Sequence, residues 1–397
     1  MGKLVDAKLF CSSPSRERIR VQVLSKVGDD NVGQNIIDEL NESNVETSSH
    51  LFRRGGPGST TSFTTVIVDE KEQTRTCIHT PGTCGELSLE DVKSMSQDDI
   101  NEVFRNVIHL HTDSRHTDVS LWIAKEAKKR GITVSCDCEK DRNTKSLDEL
   151  IEVCDILFTN SNHLGHYLER LTCEREAVTG RQPLSKPTIT FQSNKQEHNP
   201  EEQLIDTYIR SLTPSMYFAR WQQEMAMGKE VIVTHGSMGA LHFKQIESSK
   251  NSKSGSTSSG SKSQNTIEIV FEDTNKIFIR HSFEDGGEIF NILYEVHQAG
   301  SLKDAPVVDT TGAGDAFIGG YLLMSNIACE EEEAIGSKVQ MALETGSFVG
   351  GRKVGGAGAR TTLPTGSEFD LLLGSSAIDV KASLKILLGS FHYDAQK

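Results

Sequence analysis

Between Leu87 and Asn160 the hydrophobic period of the chain switches several times, and that alternation leaves few folds open. Val107-Ile-His-Leu-His111, Ile132 to Cys136 and Ile156-Leu-Phe-Thr-Asn160 are apolar runs of strand length. Thr117 to Arg130, stopped by Gly131, and Leu147 to Cys154 carry helical spacing between them. Strands separated by helices of this length predict parallel strands with helical crossovers, the pattern of a doubly wound α/β sheet. Ligands of such sheets sit beyond the carboxyl ends of the strands. His109, His111, Asp113, Arg115, His116 and Asp137 all fall at or near such ends. The histidines could form a metal site, but their spacing does not single one out.

A second feature concentrates chemistry in one place. Val307-Val308-Asp309-Thr310-Thr311-Gly312-Ala313-Gly314-Asp315-Ala316-Phe317 opens with apolar residues that read as a buried strand. It breaks at Gly-Ala-Gly and resumes as a helix-compatible segment through Met324. A glycine-rich turn into a helix points free N–H groups toward one spot, with the positive end of the helix dipole behind them, which suits an anion such as phosphate. Neither the dinucleotide fingerprint nor the Walker pattern is met, because Phe317 stands where a third glycine would be and no Gly-Lys-Ser/Thr follows. Asp315 lies inside this turn. A carboxylate is a poor ligand for phosphate but a suitable base for a hydroxyl about to attack it. The plain alternative is a tight turn with no ligand.

Asp309 to Gly320 resembles the C-terminal signature of the PfkB (ribokinase-like) carbohydrate kinases. The resemblance implies a three-layer, doubly wound ribokinase-like α/β fold with a small β-lid. It also implies transfer of the ATP γ-phosphoryl group to a sugar hydroxyl, the sugar being ketohexose- or ribose-like. A nucleoside kinase is a second substrate class. A non-catalytic nucleotide-binding or scaffolding protein that keeps the fold is the rival of a different kind. The family's catalytic base falls on Asp315, and its anion hole on the amides of Gly312, Ala313 and Gly314. Val231 to Leu241 resembles the family's nucleotide loop at Thr234, Gly236 and Gly239, with Gly358 assigned near the adenine. Asp137, Arg75 and Asn160 fall on the substrate or phosphate side. Asp309 and Thr311 take either a monovalent-cation role, with potassium as the ion, or a structural one. Magnesium neutralises phosphate charge and has no direct protein ligand in this reading.

Two positions depart from the family pattern. The run Leu24 to Asn44 matches, yet no first strand with a sugar-binding Asp and no Gly-Gly-x-x-x-Asn segment precedes it. The expectation is a missing N-terminal strand and sugar-binding segment, and a chain that binds ATP–magnesium but phosphorylates sugars poorly. Asn160-Ser-Asn-His163 stands where the family has Asn-x-x-Glu, and an imidazole is a poor ligand for a hard, oxygen-seeking cation.

The expected organisation is an irregular N-terminus over 1–20, a kinase domain over 21–364 and a tail over 365–397. Within the domain, Gly28 to Gly33 reads as a turn and Gln34 to Asn41 as a helix. The β-lid spans 45–80, with Leu51 to Thr80 read as hairpins and the lid surface available for a homodimer. Ser248 to Gln264 is too polar to offset its ordering entropy and reads as a disordered insertion within a hairpin joining Ala240–Ile246 to Thr266–Phe271. Ala334 to Val349 reads as a helix and Gly350 to Gly358 as a flexible turn. Net charge is −14 and no basic cluster exceeds Lys128-Lys129-Arg130, which argues against nucleic acid and anionic membrane as partners. No Cys-x-x-Cys pair and no membrane-length apolar run occurs, so a reduced, cytoplasmic protein is expected.

Overall fold

Strands buried on both faces need apolar residues in continuous runs rather than in alternation. The centre of the chain supplies them: Val134, Ser135 and Cys136 are buried in succession, as are Leu157 to Thr159 and Val231 to Val233. The computed structural model describes residues 20–48, 52–69, 74–139, 145–160, 163, 188–192, 229–252, 265–271, 276–285, 288–300, 307–326 and 335–364. These fall into two units, Met1–Ile108 with Gly300–Lys397, and His109–Ala299.

The second unit is built on a nine-stranded sheet. Its parallel half comprises β7 (His109–Asp113), β8 (Thr133–Cys138), β9 (Ile156–Asn160) and β11 (Glu230–Thr234). Helices α4 (Thr117–Lys129) and α5 (Lys145–Val153) connect the first three. α4 buries Val119, Ile123, Ala124 and Ala127 at helical spacing, and the chain leaves it through Gly131 at φ 72°. The other half is mainly antiparallel: β12 (Ala240–Ser252), β15 (Glu288–Ala299), β14 (Lys276–Asp285) and β13 (Asn265–Phe271), with β10 (Thr188–Gln192) parallel to β13 at the edge. The parallel pattern expected between Leu87 and Asn160 thus extends into a mixed α/β sheet.

The first unit carries three two-stranded sheets among the described residues. β1 (Val21–Gln22) pairs parallel with β3 (Val45–Glu46), and β2 (Ser25–Val27) with β4 (Phe52–Arg54). β5 (Phe63–Asp69) and β6 (Thr74–Thr80) form an antiparallel hairpin. Helix α1 (Asn31–Glu42) starts at Asp30, whose side chain accepts from the Gly33 N–H. Short helices α2 (Leu89–Lys93) and α3 (Gln97–Val103) follow, and α6 (Ala313–Asn326) packs on α7 (Ile335–Lys353). No helix among the described residues is long and apolar enough to cross a membrane.

Several boundaries differ from those read in the sequence. Of the stretch Leu51 to Thr80 read as hairpins, β5 and β6 form one, whereas β4 pairs in parallel with β2 upstream. Val307 and Val308 are not a buried strand: they are 51% and 47% exposed, and Val308 sits in a bend. β12 continues through Ser252, so Ser248 to Ser252 is strand paired with β15 rather than loop. Beyond Lys244 this strand pairs with β15 alone among the described residues, and a polar edge is tolerated there. β12 and β13 are not neighbours in the sheet, so 253–264 does not close a hairpin between them. α7 runs on to Lys353, taking in Gly350 and Gly351 from the expected turn. The termini 1–19 and 365–397, Lys140, Arg142, and most of the Ser-rich segment lie outside the described residues.

Candidate active site

The turn between Val308 and Asp315 is shaped by bonds reaching to the far end of α7. Val308 and Asp309 N–H groups donate to the Val354 carbonyl at 2.8 and 3.2 Å. One Asp309 carboxylate oxygen accepts from the Thr311 N–H and the other from the Gly358 N–H, both at 2.8 Å. Thr311 first, then Gly358 and the charge of Lys353, hold the Asp309 carboxyl down to about 2, against the opposing effect of burial. Lys353 is fully buried, and its Nζ donates to the carbonyls of Asp309 (2.8 Å) and Gly356 (3.3 Å). Thr362 Oγ1 donates to the Lys353 carbonyl at 2.8 Å and closes the loop.

Gly312 has φ +78°, and a Cβ there would also meet the Ala359 carbonyl at 3.1 Å, so the reversal before α6 favours glycine twice over. The Ala313 N–H donates to Thr310 and the Ala316 N–H to Gly312. Among the described residues this leaves the N–H groups of Gly314 and Asp315 without a main-chain acceptor at the helix start. Gly314 and the Asp315 side chain are exposed beside them. The first turn of α6 is set by its seat on α7. A Cβ on Gly320 would lie 2.9 Å from Val349, and one on Gly346 would lie 2.9 Å from the Phe317 ring. Glycine at those crossings lets the two helices approach closely.

In the second unit, β11 ends at Thr234 and a 3-10 turn over Gly236–Met238 leads into β12. This turn is closed by main-chain bonds, His235 N–H to Gly239 carbonyl at 2.8 Å and Met238 N–H to His235 carbonyl at 3.1 Å. Gly239 adopts φ 102° and ψ −140°, and Gly236 φ 57°. Burial pushes the His235 imidazole below its ordinary pKa. Thr234 is the register partner of Asn160 on β9, whose Oδ1 accepts from the His163 N–H at 2.8 Å. Asp137 stands on neighbouring β8, in register with Asp113 on β7. His109 and His111 flank the Ser135 hydroxyl at 2.7 and 2.8 Å, and burial drives His111 to about 3. These two imidazoles are therefore held as a packing group with Ser135.

Residues 14–182 match the model of the pfkB family carbohydrate kinases. Among solved structures, the ribokinase of Giardia lamblia superposes with a TM-score of 0.53 at 16% identity, covering 92% of this chain and 83% of that one. An Agrobacterium tumefaciens protein assigned as a ribokinase superposes at 0.50 with 15% identity, covering 93% and 82%. Residues 14–182 thus resemble the PfkB carbohydrate kinases. The fold is the ribokinase-like α/β fold. A comparison with curated protein sequences gives no match.

The residues singled out by sequence divide between the two units. Asp309, Thr311, Gly312, Ala313, Gly314, Asp315 and Gly358 gather in the first, tied by the bonds just described. Thr234, Gly236, Gly239, Asn160 and Asp137 gather at the carboxyl ends of β8, β9 and β11 in the second. Arg75 lies on β6, with its side chain outside the described residues. The Gly358 N–H is committed to Asp309, which gives that glycine a task in shaping the turn. The Ala313 N–H is likewise committed, to the Thr310 carbonyl, so of the three amides read as an anion hole this one is occupied within the turn.

Lys353 is the residue that the sequence reading missed. The signal was available: Ala342, Thr345, Val349 and Lys353 fall at helical spacing and are all buried. A lysine in phase with a buried stripe marks an ammonium that must find acceptors inside the protein.

Proposed function

We propose that the chain is an ATP-dependent kinase that moves the γ-phosphoryl group to a hydroxyl of a ketohexose- or ribose-like sugar. The observation that carries this reading is the pairing of an exposed carboxylate, Asp315, with two N–H groups that have no main-chain acceptor among the described residues, at the start of a long helix. The amides and the helix dipole stabilise charge on the transferred phosphoryl group. Asp315 takes the proton of the attacking hydroxyl. Gly312 and the Asp309–Gly358 bond set the direction in which those groups point. The Thr234–Gly239 turn, with φ values that favour glycine, suits close approach of backbone to the nucleotide. Magnesium arrives as part of the ATP substrate, carried on its phosphates, and there neutralises charge.

A second reading, a protein that binds nucleotide without turnover, draws on one observation. Where the family has a carboxylate, His163 is buried and its N–H caps Asn160, so this position offers no anionic oxygen. Calorimetry with ATP–magnesium, run beside a coupled ADP-release assay over ketoses, aldoses and nucleosides, separates the readings. Binding with sugar-dependent ADP release, abolished in Asp315→Asn, supports the kinase. Binding without release on any acceptor supports the second reading, and release preferred on nucleosides moves the substrate class.

A further inference from the structure

We infer that the Lys353 ammonium occupies the position at which the family resemblance places a monovalent cation, so that the turn carrying Asp315 is organised without potassium. The Lys353 side chain is completely buried. Its Nζ lies 2.8 Å from the Asp309 carbonyl and 3.3 Å from the Gly356 carbonyl, the kind of main-chain oxygen cradle that holds a desolvated monovalent ion. The Asp309 carboxylate completes the surroundings, anchored by the Thr311 and Gly358 N–H groups. An ammonium brings three donors and one positive charge, and two of those donors are spent on these two carbonyls. A potassium ion would need the same oxygens and would meet a like charge at close range in a buried setting. The residues present therefore do not fit a second cation.

Lys353 acts here as a positioning residue. It holds the Asp309 carbonyl, and the same residue's carboxylate holds Thr311, immediately before the Gly312 reversal that opens α6. The ammonium is delivered by the end of α7, whose buried stripe of Ala342, Thr345 and Val349 leads directly to it. The turn is thus tied to the helix that seats α6, and the counter-charge is covalent rather than exchangeable.

The inference rests on the kinase reading only for its kinetic arm. Thermal unfolding of the full chain is measured in potassium, sodium and choline chloride at equal ionic strength. The parent is expected to melt within about 1 °C in all three. A cation bound a hundredfold below its applied concentration would multiply the folding constant by about 100 and raise the midpoint by several degrees. A potassium-specific rise of that size in the parent overturns the inference. Lys353→Ala empties the cradle. It should melt lower in choline and regain several degrees in potassium, with a smaller gain in sodium. A folded Lys353→Ala that shows no potassium-specific gain also overturns it. If that variant folds in none of the salts, the parent series alone decides. Turnover of an active parent should be equal in potassium and choline. An inactive parent counts against the kinase reading, while the melting series still judges the role of Lys353.

Discussion

The two turns in which the site residues gather are held by different means. The Val308–Asp315 turn is fixed by side chains that arrive from more than forty residues away, Lys353 onto the Asp309 carbonyl and Asp309 onto the Gly358 N–H. The Thr234–Gly239 turn is closed by main-chain bonds within itself and by glycine dihedrals. The first is a small buried network, in which loss of any member strands its partners. The second is a local backbone solution, sensitive to what sits at two glycines and tolerant of side chains elsewhere.

The sharpest way to probe the contrast is chemical. Asp315→Asn should lower turnover by about 10²–10⁴, the usual contribution of a general base, with nucleotide affinity within a few-fold. Its melting temperature should hardly move, because the Asp315 side chain is exposed and outside the Asp309–Lys353 network. A large loss of stability would mean that the carboxylate belongs to the network after all. Next in size, Lys353→Met in choline buffer should lower the free energy of unfolding, measured in denaturant, by roughly 3 kcal/mol, since two carbonyls lose a donor at about 1–3 kcal/mol each. Gly239→Ala places a side chain at φ 102°, ψ −140°, and should cost about 1–3 kcal/mol. The two changes should also differ in kind. Gly239→Ala should weaken ATP binding measured by calorimetry more than it lowers the melting point, whereas Lys353→Met should do the reverse.

How much of this was legible in the sequence follows the same division. Local signals read well: the strand at Ile156–Asn160, the helix from Thr117 with its stop at Gly131, and the reversal at Gly312 are each encoded by neighbouring residues. What depended on distant partners read badly. Val307 and Val308 have strand composition but no strand beside them among the described residues, and they are exposed. Phe52–Arg54 reads locally as part of a hairpin, yet its partner, Ser25–Val27, lies far upstream and pairs in parallel. Ser248–Ser252 has loop composition, yet β15 offers it a ladder of hydrogen bonds. The polar, glycine-rich run from Gly350 hid Lys353, whose meaning appears only when the helix is continued to that point and its buried face is counted.

A smaller effect separates the two turns by pH. The Asp309 carboxyl sits at about 2 in the folded chain, below its ordinary 3.8, with Thr311 as the main cause. A folded-state pKa below the unfolded one adds stability that is fully present above the unfolded value and is lost as pH falls through the folded one. The stability gap between the parent and Asp309→Asn should therefore be constant above pH of about 5 and close progressively between about 4 and 2. Chemical unfolding across that range, with both proteins in the same salt, reads the gap directly. A gap that stays constant down to pH of about 2 would show that the Asp309 charge does not hold the first turn.

The smallest effect expected is in the link from β12 to β13, within the unit where strand pairing sets position. Both ends of this link lie at one end of the sheet, since β12, β15, β14 and β13 alternate in direction. The link must cross three strand spacings of about 4.8 Å each, roughly 14 Å in all. Replacing 253–264 by six Gly and Ser residues leaves a reach of about 20 Å, which is enough. Halving the length changes the closure entropy by only about 0.6 kcal/mol. The melting temperature should then stay within about 2 °C of the parent. A two-residue Asn-Gly link reaches only about 10 Å and should pull apart the β12–β15 pairing near Ser252 and Glu288, with a clear loss of stability. Equal melting of the two-residue and six-residue chains would mean that β12 and β13 are nearer than the strand order places them.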